Sequence, residues 1–412
     1  MYARCVSNIR KLQVGFKSFM SQAQPSRGRG NGRGRGPTRG NVRGRGGFHS
    51  SQRENLPRDR KILGGLLPIE DSLRVSTTAD TDPVTIEDLH YIGSYNWMDK
   101  QKPTILVPGS PPEWIDPSPP FFVPVDEGIL YVNQNAFRMP KAPLQPLVLC
   151  VDEVTPEFDW SSVDFVTDRS NLRKFIRLIS RTRKSTKPWR IDTQLAPGKK
   201  GTILLNRWER RDREMAGGAS RGFAFEKHTT RVVDGCEGSS SHHRVVCYSL
   251  GELELVVRFE VDACLPASSA SVVTKFGLTV KKGGMRAPDP SAVVELTTTG
   301  SAGRNADWKE LHPQLYLSGT SHHFLALHQN RTFNNVQKRT LSTLNDAHGN
   351  ETGENLGRLA AILVSVKELV GKYGSDGRIS LVFDGKDREA VKVYQRANKG
   401  SCLPNELLRR FA

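Results

Sequence analysis

Leu253-Glu254-Leu255-Val256-Val257-Arg258-Phe259-Glu260-Val261-Asp262 is an apolar run that ends in two acids one residue apart. Residues two apart in a strand share a face. Leu253, Leu255, Val257, Phe259 and Val261 therefore line one side, and Glu254, Arg258, Glu260 and Asp262 the other. A second run, Ala292-Val293-Val294-Glu295-Leu296-Thr297, delivers Glu295 by the same alternation. Acids aimed at one point repel: a like-charged pair at about 4 Å costs roughly 1 kcal/mol in water and about 4 kcal/mol at an effective dielectric near 20. Such a cluster protonates or holds a hard cation, and carboxylate oxygens suit Mg²⁺ or Mn²⁺. On spacing alone the triplets also describe separate surface acids on half-exposed strands, so their surroundings must decide.

Working outward, Arg221-Gly222-Phe223-Ala224-Phe225-Glu226-Lys227 precedes the first run, and Ser249-Leu250-Gly251 leads into it. Val294-Glu295-Leu296-Thr297-Thr298 follows, then Pro313-Gln314-Leu315-Tyr316-Leu317-Ser318-Gly319, with Val166-Thr167-Asp168-Arg169-Ser170-Asn171-Leu172 upstream of all. In this order the segments resemble those of the DXO-like decapping nucleases, enzymes of the PD-(D/E)XK type that remove defective caps from RNA 5′ ends. The resemblance runs from about Leu66 to the C-terminus and makes a chance grouping of surface acids the weaker reading. It implies an α/β fold, a PD-(D/E)XK nuclease-like mixed sheet flanked by helices. It also implies that Glu226, Glu260, Asp262 and Glu295, with the Leu296 carbonyl, hold a divalent cation, Mg²⁺ or Mn²⁺. Glu260, Asp262, Glu295 and position 297 would carry the chemistry, and Arg169 and Gln314 would contact the substrate. The activity implied is metal-dependent hydrolysis of a phosphodiester near a defective or non-standard RNA cap. A 5′–3′ exoribonuclease partner and a nuclear or cytoplasmic setting come with it.

One residue departs from that pattern. The family carries lysine after its Glu-Leu pair, where this chain has Thr297. Losing a general acid or base typically costs about 10²–10⁴ in rate, while the metal's effect on water and phosphate would remain. Two expectations stand: weakened activity, or replacement of the lysine by Lys275, Lys281 or Lys282 from the connection between the acidic runs.

The chain has 412 residues, ample for a large core, and a formal charge of +17. Met1 to Arg53 holds 12 Lys or Arg and no acid, so the basicity belongs mainly to this end. Arg27 to Gly47 contains seven Arg-Gly dipeptides, too polar and glycine-rich to bury a core. Residues 1–60 are thus expected to be a disordered Arg-Gly-rich tail, and 61–412 the nuclease-like domain. Arginine on flexible backbone pairs with phosphates and stacks on unpaired bases. RNA is the expected partner, a solubilising tether the alternative. Met1 to Gln24, acid-free with Ile9, Leu12, Phe16 and Phe19 at helical spacing, also fits a mitochondrial transit peptide, which makes import the second expectation for location.

Six scattered cysteines lack a C-x-x-C pair, pointing to neither a disulfide framework nor a zinc site. His242-His243 and His322-His323 read as ordinary surface or strand residues. No apolar stretch approaches the roughly 18 residues of a membrane span, so no membrane partner is expected. The proline-rich stretch Leu56 to Pro146 is expected to wrap as loops and edge strands. Leu147-Val148-Leu149-Cys150 reads as a short buried strand. Leu172, Phe175, Ile176 and Ile179 mark a helix, with Arg173, Lys174, Arg177, Arg181, Arg183 and Lys184 around it. Those cations are either a solvated face or a guide for an RNA backbone. Leu356, Leu359, Ile362, Leu363 and Val366 mark another helix, followed by strands at Ile379–Phe383 and Ala390–Tyr394. The rival to a nuclease is a catalytically impaired RNA 5′-end-binding protein of the same fold; a third reading makes the tail the working part.

Overall fold

A computed structural model describes residues 56–412, apart from 76–80, 183, 219, 267–271, 276–277, 282–288, 301–305 and 388. The Arg-Gly tail and the amphipathic segment before it lie outside the described residues, as do the side chains of Lys275, Lys281 and Lys282. Residues 55–412 form one unit.

Leu253–Val261 is a central strand of a ten-stranded mixed sheet. It runs antiparallel to Ser239–Leu250 and parallel to Phe165–Asp168. Its Leu255, Val257 and Phe259 face one core, shared with Leu172 and Phe175 of the helix Arg169–Ile179 and with Leu359 and Leu363 of the long helix Leu341–Tyr373. Val256, on the opposite side, enters a second core with Leu147, Val151, Leu407 and Phe411. Both faces are therefore covered over most of the strand: on its polar side Arg258 is buried, and Glu260 at the end stays exposed. Arg258, only 1% exposed, ends in a two-pronged ion pair with Asp168 at 2.7 and 3.1 Å. Its guanidinium also donates to the Pro143 carbonyl at 2.8 Å.

A second, seven-stranded sheet contains Ala263–Cys264, Val293–Gly300 and His322–Gln329. The chain leaves the large sheet at Val261 and enters the second at Ala263, so Asp262 sits at the crossing. Val294 pairs with Ala263, which brings Glu295 to the same junction. The mixed α/β expectation holds, and the two helices and the two C-terminal strands lie where the periodicity places them.

Two local expectations need correction. Leu147–Cys150 is not a strand but the middle of the helix Gln145–Val154. Leu144, Leu147, Val148 and Val151 recur at helical spacing and are all buried, and Pro146 stands in the first turn, where its missing N–H costs nothing. The Leu56–Pro146 stretch supplies more than edge pieces: Ile86–Met98 is a 13-residue strand inside the large sheet, paired along Ser239–Leu250. Proline is absent from it, so its N–H groups are free to pair. Among the described residues no helix is long and apolar enough to cross a membrane.

Candidate functional site

Four carboxylates approach one another at the junction of the sheets. Glu260 comes from the end of the central strand, Asp262 from the crossing, and Glu295 from Val293–Gly300. Glu226 is delivered by the short helix Gly222–Thr229, whose Phe225 is buried against Trp114 and Phe333. Asp126, distant in sequence, fixes the start of that helix by accepting the Ala224 N–H at 2.7 Å.

Crowding of like charge in reduced contact with water shows in the protonation equilibria. Burial pushes Glu226 up to about 8, with Glu260, Glu295 and Asp126 adding repulsion. Asp262 is raised well above the carboxylate range by burial, then by Glu295 and Glu226, against the pull of the Leu296 N–H it accepts at 2.8 Å. Glu260 is exposed, yet loss of bulk water around its carboxyl raises it too, opposed by Arg207.

Glu295 is engaged differently. Arg169 donates to one carboxylate oxygen at 3.3 Å, and the Gln314 amide donates to the other. The guanidinium is held in turn by Ser318 Oγ at 3.0 Å and by the Phe259 ring, 5.2 Å from its carbon. Gln314 and Ser318 flank the end of the helix Trp308–Tyr316, and Gly319 just beyond takes φ of +58°, a turn that glycine favours. Thr297 faces the same way as Glu295, two residues on. It hydrogen-bonds His323 Nε2 at 3.1 Å. His323 is fully buried and held near 4 by burial and then Arg339, so it is neutral at pH 7 and supplies no cation in place of the missing lysine. His242, His243 and His323 are strand residues, as expected, and are buried.

The four acids fit a hard divalent ion in donor type and in mutual repulsion, which such an ion would relieve. Among the described residues, however, no three His, Cys, Asp or Glu stand close enough to hold one as they are placed. Glu295 has both oxygens occupied by Arg169 and Gln314, so an ion would have to compete with them. Arg207, Asp126, Ser318 and His323 escape sequence reasoning because each meets the site through contacts remote along the chain.

Of the basic residues around Arg169–Ile179, Arg177 and Arg173 pair with Glu310 at 2.7 and 3.5 Å, and Arg181 lies 3.8 Å from Glu389. Lys174 is buried beside Glu209 at 3.6 Å. That surface is a set of part-neutralised cations, not a uniformly solvated face; Arg183 lies outside the described residues.

The fold has counterparts among solved structures. Scheffersomyces stipitis Rai1, in complex with 3′-NADP⁺ and calcium, matches with a TM-score of 0.56 at 11% identity, over 84% of this chain and 99% of that one. K. lactis Dxo1 with manganese matches with 0.51 at 12%, over 81% and 98%. Candida albicans Rai1 with pU5 and Mn²⁺ matches with 0.51 at 13%, over 83% and 99%. The chain thus has the fold of the Rai1/Dxo1 decapping nucleases. No curated protein matches the sequence. A family model described as a domain of unknown function, DUF8563, matches residues 69–412, and the chain belongs to that family.

Proposed function

We propose that this protein hydrolyses a phosphodiester near the 5′ end of RNA carrying a defective or non-standard cap. It would use Mg²⁺ or Mn²⁺ held by Glu226, Glu260, Asp262, Glu295 and the Leu296 carbonyl. The observation that carries the reading is the convergence of these four acids at the sheet junction, three of them with raised pKa. The fold shared with nucleases crystallised with manganese, calcium and RNA or dinucleotide ligands supports it.

A bound cation would polarise the scissile phosphate and make water a better nucleophile. The chain's own residues set the rest. Arg169, buried and braced by Ser318 and Phe259, presents a fixed guanidinium to a phosphate oxygen at the point where it now meets Glu295. Gln314 orients Glu295 and is placed to donate to the same phosphate. Thr297 offers a neutral hydroxyl where an ammonium would stabilise developing charge, which predicts slow turnover.

Thr297 and the unclosed spacing of the acids favour a second reading, a catalytically impaired RNA 5′-end-binding protein. Purified protein incubated with 5′-labelled RNAs bearing different ends, with and without Mn²⁺, separates the two. Asp262→Asn can keep an oxygen for the Leu296 N–H and so leave the junction folded. It should abolish Mn²⁺-dependent release of 5′ products; unchanged turnover in this variant would remove the proposed site. Binding without cleavage of any RNA end by the wild-type protein would establish the second reading.

A further inference from the structure

Beside the acidic junction lies a cavity of about 290 Å³ that the proposed hydrolysis does not use. Arg173, Lys174, Arg177, Lys184, Lys187 and Arg207 all line it, and Glu209 is the one carboxylate among its lining residues. Glu209 is engaged by Arg207 at 2.8 Å and Lys174 at 3.6 Å. Glu310 answers Arg177 and Arg173 from their other side. Two carboxylates against six cations leave a large positive excess in a small volume. Lys184 and Lys187 are exposed, and among the described residues neither has an ion-pair partner.

A purely solvated basic patch would not bury its charges. Here Lys174 is buried, and burial followed by repulsion from Arg177 and Arg169 pulls Arg173 down to about 9. Hydrogen-bonding capacity is also left unused at the same place. Ser170 Oγ, Arg173 Nε and the buried Ser185 Oγ all belong to residues lining this cavity, and none has a hydrogen-bond partner. Unmade hydrogen bonds of buried groups cost about 1–3 kcal/mol each, so three around one cavity mark a place where an acceptor is missing. Ser170 also stands in the first turn of the 11-residue helix Arg169–Ile179, whose N-terminal dipole favours anions.

We propose that this cavity binds phosphate groups, as a site separate from the four acids. Arginine forks and lysine ammonium groups match phosphoryl oxygens, and the charge excess calls for a polyanion, not a single carboxylate. Its neighbourhood ties it to the junction: Arg207 acts electrostatically on Glu260, and Arg173 feels Glu295. Taking RNA as the natural source of those phosphates rests on the function proposed above; the phosphate chemistry does not. The source is either consecutive backbone phosphates of a strand or a compact terminal polyphosphate.

Lys184→Gln with Lys187→Gln tests this, because both side chains are exposed and the fold does not depend on them. The full-length protein is titrated in EDTA with fluorescent 5′-phosphorylated oligo-U, with inorganic triphosphate as competitor, and the salt dependence is recorded. The double variant should bind RNA more weakly, with a log–log salt slope shallower by about 0.7 for each lost single-strand contact. The Arg-Gly tail contributes equally to both proteins, so the difference isolates the cavity. Competition by triphosphate that the double variant loses identifies a compact polyphosphate site. Weaker RNA binding without triphosphate competition identifies a backbone track. Equal RNA affinity, equal slope and equal triphosphate response in a folded double variant overturn the proposal. Asp262→Asn should bind both probes like wild type, so loss of cleavage there and loss of binding here fail independently.

Discussion

Thr297 shares its strand face with Glu295, and its hydroxyl is spent on a neutral, buried histidine. Among the described residues, the cation paired with these acids is Arg169, committed to Glu295 at 3.3 Å. Position 297 thus supplies no cation to offset charge on the phosphate as it develops. Thr297→Lys should therefore raise Mn²⁺-dependent cleavage by up to about 10²–10⁴, read as single-turnover release of 5′ product. The new ammonium would stand on the acid-bearing face of the strand and could pair with Glu295, leaving His323 to shed one neutral hydrogen bond. No gain from the added lysine would mean that another group already fills the role. In that case Lys275→Ala, Lys281→Ala or Lys282→Ala should slow the reaction.

At the scale of elements, the long helix Leu341–Tyr373 shows what periodicity reveals. Leu356, Leu359, Ile362, Leu363 and Val366 form one stripe and are all buried against the large sheet. Leu363, with no exposure, should cost about 2–5 kcal/mol when replaced by alanine. Denaturant unfolding should show a lower midpoint with an unchanged slope; a loss below about 1 kcal/mol would mean the core collapses to fill the gap. The acids were readable for a related reason: Glu260 and Glu295 sit on strands whose twofold alternation is unbroken. Four apolar residues after Pro146 carried no such information, because so short a run fits a strand or a helix turn equally well. The hop between sheets at Asp262, the Arg258–Asp168 pair and the hold of Arg169 on Glu295 were illegible. The two ion pairs join residues 90 and 126 apart, and the hop rests on Ala263 pairing with Val294 across the intervening segment, none of which a local pattern encodes. The basic residues around Arg169–Ile179 were legible as charge but not as geometry, since the roles of Glu310 and Glu209 appear only once the chain is folded.

For the whole molecule, the acidic junction couples folding to protons and to metal. Glu226 titrates near 4.5 when unfolded and near 8 when folded, with burial the main cause. A raised carboxyl pKa means the folded state holds the proton more tightly. Its contribution is fully present below about 4.5 and is lost as pH rises through about 8. The buried histidines act at the other end. His242 and His323 are lowered from 6.5 to about 3 and about 4, mainly by burial, so their contribution is present above 6.5 and lost as pH falls below it. Metal-free protein should then be most stable near neutrality, weaken as pH rises to about 8 and level off beyond it. Glu226→Gln mimics the protonated form and should make that alkaline limb shallower, leaving the share carried by Glu260 and Asp262. Mn²⁺ competes with the same protons, so it should raise Tm more at pH 8 than at pH 6.5; at a concentration of 100 times Kd the gain is about 2.7 kcal/mol. Glu226→Gln should lose most of this gain at both pH values. A Tm shift with Mn²⁺ that is the same at both pH values, and the same in the variant, would place the ion elsewhere than among these four acids.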